Sequence, residues 1–555
     1  MLVDLRKHAA AAIFDCDIAI VGAGAAGLTL ARHLAGRGRD IVVVESGGLD
    51  FDAATQGLAD GPNLGDAYYP LVHARLRFFG GTANIWGGRC ARLEAIDFAQ
   101  RDWVPLSGWP FALDEIERWY AAAASDVELG PDAASPDGWN GDHAARLGVD
   151  PVAFVTRLWH FDDVAERFAT ARAADIVGAR DVRVLLHATV VRVQAAASAT
   201  AVTALELATL DGRRTQLRAR HFVLACGGVE NARLLLASSD VEPHGVGNAH
   251  DQVGRCFMEH PHGRAGVLEA HAGFELWAAF QSRSRPDGTR IAPVLLPAPE
   301  FQREARILNS AFTFKLQRDP SHGLTLHKRI YKDLRQELSP TRSKRQLWHA
   351  YRTLRRFVQR TARERIMRAR FARGLTRVHV IVRAEQAPNP ASRVTLAPTR
   401  DALGVPHAAL EWRRSELDKR TVRLMAERLG AELAQRGVGK LEPAPWLYDG
   451  STAWPVDPTV SSHPIGGYHH MGTTRMSNSP AQGVVDRDCR VHGYANLYVA
   501  GSSVFPTAGW ANPTLTILGP RAPARRSPAG PFDMSLTGRP EGDCSPRKAR
   551  SASVQ

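Results

Sequence analysis

Short apolar runs that close on glycine recur along this 555-residue chain. Asp17-Ile18-Ala19-Ile20-Val21 has the character of a buried strand, and Gly22-Ala23-Gly24-Ala25-Ala26-Gly27 follows at once. Leu28, Leu30, Ala31 and Leu34 then recur at helical spacing, and a second run, Ile41-Val42-Val43-Val44, ends in Glu45. Strands are also predicted over 182–186 and 190–193. The stretch His221-Phe222-Val223-Leu224-Ala225-Cys226-Gly227-Gly228 repeats the strand-to-glycine pattern, as does Leu497-Tyr498-Val499-Ala500-Gly501-Ser502. In the middle of the chain, 378–383 and 393–396 predict an antiparallel sheet. Asn512-Pro513 reads as an N-cap and first helical residue, starting a helix over 513–518. Runs of this kind predict an α/β fold with a parallel sheet flanked by helices.

The opening pattern has a physical logic. Gly22 permits the tight turn, Gly24 lets backbone approach a diphosphate, and Gly27 lets helix pack on strand. The helix N-terminus offers unpaired N–H groups and a positive dipole end. Glu45 can accept from both ribose hydroxyls and would repel a 2′-phosphate. These parts together predict a bound dinucleotide without separating FAD from NAD. A second glycine-bracketed loop, Arg77-Phe78-Phe79-Gly80-Gly81-Thr82-Ala83-Asn84-Ile85-Trp86-Gly87-Gly88, would let backbone approach a flat ligand.

Composition narrows the class. With 44% apolar and 23% charged residues, the chain is globular rather than disordered. No apolar run approaches the ~18 residues that a spanning helix needs, and the N-terminus lacks the order of a signal peptide. The six cysteines are scattered without Cys-x-x-Cys, which points to a reducing compartment and hence a cytoplasmic protein. No residue cluster has metal-ligand spacing. The net charge of +13 invites a nucleic-acid reading, but residues 328–377 alone hold 17 Lys and Arg against 3 Asp and Glu. The rest is near neutral, and no nucleic-acid motif accompanies the basic stretch. Leu347, Tyr351, Leu354 and Val358 recur there every three or four residues, predicting a basic amphipathic helix. Its apolar stripe is expected to pack on the body. The alternative is a docking face for an anionic membrane surface or an acidic partner.

Four late blocks stand in order. They are Gly466-Gly467-Tyr468-His469-His470-Met471-Gly472-Thr473-Thr474-Arg475-Met476, Gly483-Val484-Val485-Asp486, the strand ending in Ser503-Val504-Phe505-Pro506, and Asn512-Pro513-Thr514-Leu515-Thr516. With the opening motif, this order resembles the glucose–methanol–choline (GMC) family of FAD-dependent oxidoreductases, in particular its sugar and polyol dehydrogenase branch. The resemblance runs from about residue 15 to 518 and is weakest in the middle third.

The resemblance implies FAD rather than NAD. By position, Gly22, Gly24, Gly27 and Glu45 would contact the ADP-ribose, and Val190 the adenine through its backbone. Gly80, Gly81, Thr82 and Asn84 would lie against flavin and diphosphate. Ala225 and Gly227 would form a second cofactor turn, Gly501 and Ser502 a turn on the diphosphate side, and Pro513 and Thr514 the helix start beside the ring. His469 and Asn512 match the catalytic pair: a base for the hydroxyl proton and an amide that orients the substrate oxygen while hydride passes to flavin. Some relatives carry a histidine before the loop tryptophan that bonds covalently to flavin. Ile85 stands there, so FAD is expected to be non-covalent. His260 and His262 fall in a stretch that reads as structural, and His470 as support.

The expected division is a discontinuous FAD domain (1–265 and 466–518) with the catalytic residues in its return segment, and a substrate domain (266–465) carrying the basic helix. Branch resemblance further implies a sugar or polyol substrate, dehydrogenase rather than oxidase chemistry, and a quinone, cytochrome or other electron-acceptor partner. Two other readings suit the same fold: a hydroxynitrile-lyase-type enzyme and an inactive flavoprotein. Beyond Leu518 the chain departs from the family. Residues 519–555 hold six prolines and seven Lys and Arg and read as a disordered or frame-shifted tail that weakens FAD loading.

Overall fold

The computed structural model describes residues 1–8, 13–146, 148–270, 273–316, 340–373, 377–457 and 467–519, with backbone alone at 270 and 355–364. The expected tail from 520 onward, and the start of the basic stretch, lie outside these residues.

Two sheets organise the chain. The first runs in the order Leu2–Asp4, Val182–Leu186, Ile41–Val44, Ile13–Val21, Arg214–Leu224, Val202–Ala208, Thr189–Ala195, with Leu497–Val499 also paired to Arg214–Leu224. Its central pairs are parallel, and Ile41–Val44 is buried at every position. That explains the continuous apolar runs, since a parallel strand covered on both faces needs no polar side. The crossover helices Ala25–Leu34 and Gly227–Ala237 start at the glycine turns. An added Cβ at Gly27 would sit 1.9 Å from the Gly22 carbonyl oxygen, so the helix can dock at this distance only without a side chain there.

The second sheet is antiparallel, in the order Gly439–Pro443, His262–Ala270, Val378–Arg383, Ala311–Leu316, Arg290–Pro297, Phe154–Phe161, Arg89–Cys90. The helix Glu416–Gln435 packs Val422, Met425, Leu429 and Leu433 against it. The 378–383 run belongs to this sheet, but the predicted 393–396 strand does not. Arg393–Arg400 instead pairs with Pro406–Glu411 in a separate two-stranded ribbon beside the helix Gly227–Ala237. Arg89–Cys90 and Phe154–Phe161, which fall within the 1–265 segment expected to belong to the FAD domain, lie in the antiparallel sheet, where they pair with the distant Arg290–Pro297 and with each other.

The basic helix is present as Arg342–Ala372, but its orientation reverses the expectation. Leu347 and Leu354 are 59% and 63% exposed, whereas Trp348 and Arg345 are buried. Arg345 bonds Asp50 and Glu166, and Phe371 packs on Phe274 and Trp277, so a buried ion pair and aromatic contacts choose the inward face. The Val358 side chain lies outside the description.

One buried carboxylate ties together distant segments of the chain. Glu385 accepts from Arg101 Nη1 and Nη2 at 3.0 and 2.6 Å, from the Asn309 N–H at 2.7 Å and from the Gly509 N–H at 3.3 Å. Both charged partners are essentially inaccessible to water. Removing one partner of such a pair strands a buried charge, which costs about 3–5 kcal/mol. Arg101→Met should lower unfolding stability by that order in a urea titration. Arg101→Met combined with Glu385→Met should recover most of it.

Candidate active site

A cavity of about 500 Å³ follows the C-terminal ends of the parallel strands and reaches the antiparallel sheet. Gly22, Gly24, Glu45, Gly80, Gly81, Thr82, Val190, Ala225, Gly227, Gly501, Ser502, His469, Asn512, Pro513 and Thr514 all line it. Two predicted contacts do not. Gly27 is spent on helix packing, and Asn84 is buried with its amide donating to the Phe79 carbonyl at 2.8 Å, holding the loop from inside.

The glycines that line the cavity differ from those that pack. An added Cβ at Gly24 or Gly227 would meet nothing within 4 Å, and at Gly501 the nearest atom is 3.8 Å away. A side chain at any of them would therefore project into open space, where a diphosphate needs close backbone. Glu45 is fixed at the strand end by the N–H groups of Ala23 (3.1 Å) and Gly47 (2.9 Å), its second lone pairs left for further donors. These features fit FAD: a glycine turn at a helix start, a carboxylate at the end of the second strand, and a cavity that continues past Gly80 and Gly81.

At the far end, His469 Nε2 lies 3.2 Å from Asn512 Nδ2, and His469 Nδ1 lies 2.7 Å from His260 Nδ1. His260 Nε2 in turn faces the Gly509 carbonyl at 2.9 Å. Burial pushes His260 down to about 3 and holds His469 well below the ordinary imidazole value, with neighbouring His260 and Arg383 adding to the second shift. Both rings are therefore neutral near pH 7, and their tautomers follow by elimination. A carbonyl oxygen only accepts, so His260 Nε2 carries the proton and its Nδ1 accepts. His469 Nδ1 must then donate, which leaves the lone pair on Nε2. The Asn512 amide donates to that lone pair, and among the described residues the buried Asn512 carbonyl oxygen has no hydrogen-bond partner.

Glu259 anchors the same segment. Its Oε1 accepts from Tyr68 OH (2.7 Å) and the His469 N–H (2.8 Å), and its Oε2 from the His260 N–H (3.0 Å). Burial raises it to about 7, while these donors pull the other way. His470 turns from the pair into an aromatic pocket of Tyr68 and Phe257.

Three features correct the sequence reading. His260, read as structural, touches the candidate base directly. Asn512 does not cap the last helix: that helix runs Thr514–Leu518 with Pro513 in the cap position, and the Asn512 side chain turns to His469 instead. Arg75 and Arg77 also line the cavity, gripped by Glu230 at 2.6 Å each, and neither stood out in the sequence. Their partner is some 150 residues away, so no local signal could mark them.

Comparison with known proteins agrees with this architecture. Residues 17–247 match the family model "FAD dependent oxidoreductase", and residues 388–519 match "GMC oxidoreductase". The 6'''-hydroxyparomomycin C oxidase of Streptomyces lividus is 26% identical over 90% of this chain and 89% of its own. The 2-methyl-1,2-propanediol dehydrogenase of Mycolicibacterium austroafricanum is 22% identical over 90% of this chain and 93% of its own. The fructose dehydrogenase large subunit of Gluconobacter japonicus is 25% identical, and there the match spans 57% of this chain but only 48% of the relative. A crystal structure of formate oxidase shares the fold, with a TM-score of 0.51 over 92% of this chain and 97% of that one at 16% identity. No helix among the described residues is long and apolar enough to cross a membrane. The chain is thus an FAD-dependent oxidoreductase whose residues 17–247 match the FAD-dependent oxidoreductase domain and whose residues 388–519 match the C-terminal domain of the GMC oxidoreductases.

Proposed function

We propose that the enzyme oxidises a CH–OH group of a sugar or polyol, with His469 as the base and Asn512 as the group that orients the substrate oxygen. The observation that carries this reading is the lone pair on His469 Nε2, held toward the cavity by the Gly509–His260–His469 hydrogen-bond chain. The relatives named above, which by name act on an aminoglycoside, a diol and fructose, support a polyhydroxylated substrate.

The substrate hydroxyl displaces the Asn512 amide from Nε2, a contact weak enough at 3.2 Å to exchange readily. The hydroxyl proton then passes to Nε2, and the freed amide donates to the same oxygen, holding the carbon in line. Proton uptake leaves Nδ1–H donating to His260 as before, so the ring need not rotate. When bound, FAD supplies the redox chemistry by taking up the hydride. Gly22, Gly24, Gly27 and Glu45 serve the ADP-ribose half, directly or through packing. Val190 serves the adenine, Gly80, Gly81, Thr82 and Asn84 the loop against the ring, and Ala225, Gly227, Gly501, Ser502, Pro513 and Thr514 the diphosphate and ring edge. Ile85 lines the cavity where a covalent histidine would stand, which favours non-covalent FAD. A quinone or cytochrome acceptor, and so a dehydrogenase, is the reading that the fructose dehydrogenase match supports.

Three outcomes test this. His469→Ala should slow anaerobic flavin reduction by roughly 10²–10⁴-fold while FAD stays bound; an unchanged rate removes the base. Because burial depresses the His469 pKa, the neutral base persists on acidification. Flavin reduction should therefore rise with pH through a limb below 6.5, the ordinary imidazole value, and be flat by pH 7. A limb centred above 6.5 contradicts the assignment. Gly24→Ala should fold with stability within about 0.5 kcal/mol of the parent yet lose flavin, whereas Gly27→Ala should cost about 1–3 kcal/mol. The flavin-to-protein absorbance ratio and a thermal melt separate the two.

A further inference from the structure

Two residues after His260 comes another imidazole at the catalytic end. His262 starts the strand His262–Ala270 opposite Arg383, and it lines the cavity with His469, Asn512 and Trp86. Pro261 joins the two histidines, and its carbonyl accepts from the Ala384 N–H at 2.9 Å, so the segment enters the sheet extended. Side chains two apart on an extended chain leave on the same side, roughly 7 Å from one another. His260 uses that side to reach the His469 ring at 2.7 Å, and His262 stands next along it. Gly467 lines the same end of the cavity. A Cβ there would sit 2.8 Å from His469 Nε2, so the glycine keeps one side of the base clear.

His260 and His469 each bond through both ring nitrogens. His262 bonds through neither, for among the described residues its ring has no hydrogen-bond partner. Nδ1 is enclosed and Nε2 is not, so the ring meets the cavity through Nε2. Polar groups inside a protein are ordinarily satisfied, and one that is not, on a cavity wall, is matched to a group the ligand brings. Burial holds His262 well below the ordinary imidazole value, and the fields of Lys315, Arg383 and Arg89 push the same way. The ring therefore stays neutral near pH 7, with one N–H and one lone pair. A hydroxyl, which both donates and accepts, suits whichever of the two Nε2 presents.

We propose that His262 sets specificity by hydrogen-bonding a second hydroxyl of the substrate while His469 and Asn512 hold the one that is oxidised. The enzyme then selects diols and polyols over monohydric alcohols. This rests on the assignment of His469 and Asn512 as the catalytic pair, because their position makes the His262 wall the substrate wall. A site built to bond a hydroxyl discriminates against the analogue that lacks it, since the site's own polar group is then left unpaired.

Propan-1-ol, propane-1,2-diol, propane-1,3-diol and glycerol share one three-carbon chain and test the idea on the FAD-loaded enzyme. The rate of anaerobic flavin bleaching divided by the half-saturating concentration should be about tenfold or more higher for glycerol and at least one diol than for propan-1-ol. His262→Leu should remove most of that preference and leave propan-1-ol within about twofold of the parent, with His262→Gln retaining part of the preference. Should His262→Leu lose flavin, His262→Phe, which fills the space of the ring, is read in its place. Equal values for all four alcohols overturn the inference and leave the proposed base and amide intact. A His262→Leu variant that slows every alcohol alike also overturns it, because the ring then serves the fold or the flavin. If none of the four bleaches the flavin, the proposed function fails for this set. The flavin absorbance change on adding glycerol then decides the inference: a change seen in the parent and lost in His262→Leu upholds it, and any other pattern overturns it.

Discussion

The carbonyl of Gly509 accepts a hydrogen bond from His260 Nε2 at 2.9 Å, and the protonation pattern of the catalytic end follows from that bond. With His260 Nε2 committed as a donor, its Nδ1 can only accept, His469 Nδ1 can only donate, and His469 Nε2 is left with its lone pair toward the cavity. The pattern depends on where Gly509 sits. Its N–H donates to Glu385, which Arg101 neutralises from a distant part of the chain. A buried ion pair is weak evidence of stability as such. Here it also positions the loop from which the tautomer of the base is set.

The cofactor end answers to a different constraint, the absence of side chains. Gly22 and Gly27 bring backbone within contact of backbone, so that the helix Ala25–Leu34 docks on its strand, while Gly24, Gly227 and Gly501 leave room beside it. The two ends come from distant parts of the chain. The cradle is built from the first strands and from the turn after Leu224. The base and amide arrive with the return segment, whose strand Leu497–Val499 pairs beside Arg214–Leu224 and carries the following loop to the cavity. The parallel sheet is what makes this meeting automatic, since every such strand delivers its C-terminal turn to the same edge.

Much of this was legible in the sequence because it is local. A strand, a glycine turn and a helix follow one another within 20 residues, and their spacing states their geometry. The late His-x-x-Gly-Thr and Asn-Pro blocks were equally compact. What stayed hidden was pairwise and long-range. His260 meets His469 across 209 positions, and Glu230 meets Arg75 across 155, so nothing nearby marks either as more than a satisfied core residue. The basic helix was legible as a helix but not in its facing. Its Leu347 and Leu354 repeat looks like a buried stripe, yet Arg345 finds Asp50 and Glu166 and turns the other face inward. Likewise Asn512 has the chemistry of a helix cap, and the nearby imidazole claims its amide first.

The protonation pattern of His469 can be read directly. In histidine-¹⁵N-labelled, FAD-loaded enzyme at pH 7, the His469 ring, identified by its loss in His469→Gln, should show Nδ1 with a protonated, pyrrole-type shift and Nε2 with an unprotonated, pyridine-type shift. The reverse assignment, or a ring protonated at both nitrogens, would contradict the account.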